Sequence, residues 1–174
     1  SIQPDRKENP VSILGDFHEN NAVFKMNMHD EQTNLIAYND AGVPKMTTAD
    51  MYACFLYSKH TYPNGQNPVN LQYKPLSTAV RFTVNGPTDD EQATNQNEIT
   101  IQNIVLHAPV PIAGEFSVKL YGATPVVEVI DGKNEILLIN RTTDQSNLVL
   151  KAGQSIELNA FIIPIERTVN NQWY

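Results

Sequence analysis

One cysteine, one tryptophan and no long apolar run set the first boundaries on this 174-residue chain. Cys54 stands alone inside "MYACFLYS", so neither an internal disulfide nor a cysteine-cluster zinc site can form, and it reads as a small buried apolar residue. No apolar stretch approaches the roughly 20 residues that a membrane helix needs. Cations are scarce as well: 12 Lys and Arg face 19 Asp and Glu, a formal net charge of -7. That field repels phosphate backbones and anionic headgroups, so nucleic acid is not an expected partner.

Recognisable site chemistry is also thin. There is no Gly-rich phosphate loop and no Gly-x-Ser-x-Gly elbow. His18, His29, His60 and His107 are scattered without ligand spacing. Asp89-Asp90-Glu91 lacks the alternating ligands and fixed glycine of a calcium loop, and reads as a solvated loop face. These patterns lead us to expect no catalytic residue, no metal and no cofactor, and the chain is read as non-enzymatic. A carboxylate pair brought together by the fold is the catalytic route that sequence leaves open.

What is present is period-two alternation. The composition is 41% hydrophobic and 18% charged, which is globular rather than disordered. Residues 1–20 carry Pro4, Pro10, Gly15 and many charges, and read as an extended N-terminal arm or edge strand. Residues 21–166 read as one β-sandwich domain and 167–174 as a C-terminal tail. The first ten residues show no targeting signal.

Phe24, Met26 and Met28 share one face of "VFKMNM", and a second strand from Leu35 to Tyr38 ends at an Asn-Asp-Ala-Gly turn. "TTADMYACFLYS" is apolar almost throughout from Met51 to Tyr57; it reads as a central strand buried on both faces, with a single helical turn as the alternative. In "VNLQYKPLSTAVRFTVNG", Leu71 and Tyr73 are expected to face inward from one strand and Val80, Phe82 and Val84 from the next. Pro75 cannot donate to a ladder, so Lys74-Pro75 is expected at a sheet corner.

The apolar phase in "EITIQNIVLH" slips between Ile101 and Ile104, which predicts a bulge at Gln102-Asn103. Asp131-Gly132 and Gly153 read as hairpin turns. About ten short strands with no convincing amphipathic helix make an all-β sandwich. Tyr52, Phe55 and Tyr57 read as core, whereas Tyr62, Trp173 and Tyr174, set among polar residues and chain ends, are the candidate ligand-contact aromatics.

The order of these pieces resembles the N-terminal domain of fimbrillin-like proteins of Bacteroides-type bacteria, a family of fimbrial subunits and related surface lipoproteins. "TTADMYACFLYS" is similar to an Asp-x-Leu-x-Ala segment, here Asp50 to Cys54, and "VNLQYKPLSTAVRFTV" to a strand pair carried by Leu71, Tyr73, Ala79, Val80 and Phe82. "ITIQNIVLHAPVPIAGEFSVKL" is similar to an Ile-x-x-Ile-x-Leu strand followed by Gly114 and Phe116, and "NLVLKAGQSIELNAFIIPI" to a closing hairpin. Pro75 stands where the family pattern commonly has His.

The resemblance implies a transthyretin-like β-sandwich of about seven main strands. It implies a protein exported as a lipoprotein to the outer membrane and cell surface, and a place in a fimbrium. Its expected partners are other fimbrial subunits joined by strand addition, with host or bacterial surface glycans or proteins as adhesion ligands. The chain then reads as a processed or excised N-terminal domain, or as a reduced family member. The competing expectation is a carbohydrate-binding surface lipoprotein module, for which Tyr62 with Asn64 and Gln66 would supply part of a platform.

Overall fold

The computed structural model describes residues 11–14, 23–59, 70–88, 97–141 and 148–164, and the backbones of 168–169 and 172–173. In chain order the strands are β1 (Val11–Leu14), β2 (Val23–Met28), β3 (Leu35–Tyr38), β4 (Pro44–Thr48), β5 (Leu56–Tyr57), β6 (Lys74–Pro75), β7 (Thr78–Asn85) and β8 (Glu98–Ile101). Then follow β9 (Asn103–His107), β10 (Ala113–Lys119), β11 (Val126–Lys133), β12 (Glu135–Asn140), β13 (Leu148–Lys151), β14 (Ser155–Ile162), β15 (Thr168–Val169) and β16 (Gln172–Trp173). The chain is all-β, with antiparallel strand pairs packed about one core in the manner of a β-sandwich, and no α-helix among the described residues.

A long antiparallel ribbon runs through this architecture. One arm is β8, β9 and β10; the other returns as β11, β12 and β13, each strand pairing with its counterpart. The reversal falls at residues 121–124, between β10 and β11. Only Asn134 separates β11 from β12, while the opposing arm loops out over 108–112. Ala108 donates to the Asn134 carbonyl and Ile112 to that of Lys133, both at 2.8 Å, which closes the loop; Pro109 and Pro111 within it have no N–H to satisfy.

Asp131-Gly132 is therefore no hairpin turn: both residues lie in β11, opposite Glu115 and Gly114. The glycine is there for space. A Cβ on Gly132 would stand 2.5 and 2.6 Å from Pro111 Cβ and Cγ, so the looped-out proline packs on bare backbone. In place of the bulge expected at Gln102-Asn103 the strand breaks at Gln102, between β8 and β9, and this lets Ile101 and Ile104 both pack against the core. Gly153, with φ 74°, forms the turn between β13 and β14.

At one edge of the ribbon a four-stranded sheet forms in the order β1-β2-β10-β11. Phe116 of β10 lies opposite Met26 of β2, and both are buried on the inner face. Leu138 occupies a bulge in β12 that turns it and Ile139 inward together. β14 adds Ile156, Leu158 and Ala160 while pairing with β7 along its whole length. Burying each large aliphatic or aromatic side chain of this kind contributes about 1.5–3 kcal/mol, which is what holds the layers together.

The segment from Met51 to Tyr57 is not a central strand. Met51–Ala53 is one 3₁₀ turn whose N-cap, Asp50, accepts from the Tyr52 N–H at 3.1 Å. The turn throws Met51 and Tyr52 into solvent and Ala53 and Phe55 into the core; Cys54, half-buried, packs against it. Leu71 and Tyr73 likewise face out, at 48% and 65% exposure, because they precede the short β6 rather than belonging to the core strand β7. Phe82 and Val84 of β7 do pack on the core, and Lys74-Pro75 pairs with β5 just before the chain turns into β7.

Candidate functional site

β1 lies on the outer edge of β2, with Val11 opposite Met26, Ser12 opposite Lys25, Ile13 opposite Phe24 and Leu14 opposite Val23. All four side chains of β1 are exposed, Ile13 at 54%. Four backbone pairs and little buried side chain hold a strand weakly, since ladder hydrogen bonds each contribute only about 0.5–1.5 kcal/mol net.

Beside Val11 lies an apolar groove of about 180 Å3. Phe24, Met26, Val118 and Leu120 form one wall; Phe55, Leu56 and Leu76 form the other. The second wall is fixed by backbone bonds. Phe55 N–H donates to Ser77 Oγ at 3.0 Å, and the Phe55 carbonyl accepts from Leu76 at 2.9 Å. Ser58 also lines the groove, and its Oγ is buried with no hydrogen-bond partner among the described residues.

Tyr62 and Tyr174 lie outside the described residues, as do His18, His60, Asn64, Gln66 and the Asp89-Asp90-Glu91 run; Trp173 is described by its backbone alone, which pairs with Thr168. His107 Nδ1 stands 3.4 Å from Glu135. Among the described residues no group of three His, Cys, Asp or Glu could hold a metal ion. Of the three aromatics read as core, Phe55 is buried, Tyr57 is half-buried and Tyr52 is 57% exposed.

A second cavity shares Tyr57 and Leu120 with the groove and brings in Lys59, Gln72 and Lys74. Sequence reasoning missed this grouping. Its signal was the spacing Tyr57-x-Lys59 and Gln72-x-Lys74, the period at which an extended chain repeats one face. Nearby, Lys119 donates to Glu128 Oε1 at 2.7 Å; that bond holds its ammonium above the ordinary lysine pKa and leaves it engaged.

Compared with family models, with curated proteins and with solved structures, the chain finds no match.

Proposed function

We propose that the chain is a structural or adhesive cell-surface subunit of the fimbrillin-like kind, its sandwich transthyretin-like, that joins its neighbours by strand addition at the β2 edge. One observation carries the reading: β1 is a short, exposed edge strand lying beside an apolar groove. Strand addition needs those two parts. The backbone edge of β2 supplies generic affinity, and alternate side chains of an incoming strand fill the groove and fix its register. The Ser58 hydroxyl, without a partner among the described residues, is suited to bond such a strand.

The test is deletion of residues 1–14, followed by light scattering and chromatography. Loss of β1 uncovers the β2 edge, so the shortened chain is expected to associate, and to be returned to monomer by a peptide spanning residues 8–16. A shortened chain that stays folded and monomeric and ignores the peptide overturns the proposal.

A further inference from the structure

The larger cavity, about 360 Å3, adjoins the groove along the β5–β6 pair and shares Tyr57 and Leu120 with it. Tyr57 lies opposite Lys74, and Lys59 and Gln72 follow two residues beyond the end of that pair, at the spacing that repeats one face of an extended chain. All four residues line the cavity. Its far wall comes from the ribbon tip: Leu120, Gly122, Ala123 and Pro125.

Lys59 ties the two walls together. Its Nζ donates to the carbonyls of Tyr121 and Gly122 at 2.8 and 3.2 Å, which leaves one N–H of the three. The side chains of Lys74, Gln72 and Tyr57 make no hydrogen bond or ion pair with the described residues. Among the described residues no carboxylate lines the space, although acids outnumber cations 19 to 12 in the chain. Two lysines lining one cavity with no counter-charge among the described residues favour an anion between them.

We propose that this cavity binds a small carboxylated sugar, a hexuronic or sialic acid residue. Its carboxylate sits between Lys59 and Lys74, its hydroxyls meet the Gln72 amide and the Tyr57 phenol, and the apolar face of its ring rests on Leu120, Ala123 and Pro125. The volume lies within the range of small-molecule sites, about 300–1,000 Å3, and exceeds what a bare inorganic anion fills. A neutral sugar would leave both ammoniums unmatched. The proposal is independent of strand addition.

The experiment is calorimetric titration of the full chain with sodium glucuronate and sodium N-acetylneuraminate, beside glucose, sodium sulfate and sodium glutamate. Saturable binding of at least one acidic sugar is expected, weakened by salt and absent for glucose. Lys74→Gln, at an exposed position, is expected to weaken it about tenfold or more with unchanged thermal unfolding, because a hydrogen bond to a charged group is lost. Gln72→Ala is expected to weaken it less. No saturation below about 20 mM for either acid, a far weaker range than functional sites occupy, overturns the proposal. So does an affinity unchanged in both variants, or sulfate or glutamate binding as tightly as the sugars.

Discussion

The side-chain amide of Gln32 and the backbone of Phe161 bond to each other in both directions, Nε2 to the carbonyl and the N–H to Oε1, each at 2.8 Å. Asn34 repeats the arrangement two residues on, its amide donating to and accepting from Asn159 at 2.9 Å. Thr47 Oγ1 donates to the carbonyl of Glu157. These alternate residues of β14 thus direct their backbone groups away from β7 and find side chains there. On its other side, the backbone of residues 30–34 bonds to β12, through Leu137 N–H to Asp30 O at 2.7 Å and Gln32 N–H to Leu137 O at 2.9 Å. One short segment joins β12 to β14 without being a full strand.

Removing the Gln32 amide should cost far more than its surface would suggest. Gln32 is fully buried, and Gln32→Leu leaves the N–H and carbonyl of Phe161 without partners in the interior. Each orphaned group costs about 1–3 kcal/mol, so a loss of about 2–6 kcal/mol is expected in urea unfolding. Gln32→Glu adds a pH signature. A carboxylate can accept from Phe161 N–H but repels its carbonyl, so burial and that carbonyl raise its pKa in the folded state. The variant should match the parent most closely below about pH 4, where the acid is protonated folded and unfolded alike. It should lose stability as pH rises from the unfolded glutamate value towards the raised folded one, and level off above that. A flat pH difference between variant and parent would count against the reciprocal bond.

Gly114 offers a second, independent test, on the opposite sheet. Its φ is 100°, and a Cβ would run into the Asp131 carbonyl oxygen across the ladder. Gly114→Ala should destabilise by about 2 kcal/mol or more, combining left-handed backbone strain with displacement of β11. Gly42, at φ 72° in the β3–β4 turn, has nothing within 4 Å of where a Cβ would stand, so Gly42→Ala meets only the backbone cost of about 1 kcal/mol. A larger loss at Gly42 than at Gly114 would show that close approach in β10–β11 is not what selects the glycine.

Particular residues show why the sequence disclosed the sheets more readily than their joins. Met26, Met28, Phe116 and Val118 declare a buried face because alternation is local. The break at Gln102 was legible for the same reason: a phase slip in apolar residues has a simple cause. Asp131-Gly132 misled because its glycine answers to Pro111, twenty-one residues away, and not to a turn. Gln32 and Asn34 look like ordinary loop polars, since what they do depends on β14, more than a hundred residues on. The groove and the neighbouring cavity are hidden likewise, being made where β5–β6 meets β2 and the ribbon tip. Segment 51–57 was ambiguous by composition, and Asp50 decided it by capping the turn.

Ser58 separates the stability of the subunit from its assembly. A buried hydroxyl without a partner costs the folded chain about 1–3 kcal/mol relative to one that bonds, so Ser58→Ala should leave the isolated protein as stable as the parent or slightly more so. The same change removes a polar group from the groove wall. If a neighbour's added strand bonds that hydroxyl, Ser58→Ala introduced into the chain lacking residues 1–14 should weaken its self-association several-fold, by the roughly 1 kcal/mol of one net hydrogen bond, and leave uptake of the 8–16 peptide unchanged, since β1 in place does not bond it. Both measurements use one substitution and are expected to move in opposite directions. A Ser58→Ala chain that unfolds more easily would instead mean that the hydroxyl already has a bonding role within the subunit, and the groove would lose its claim to be waiting for a partner strand.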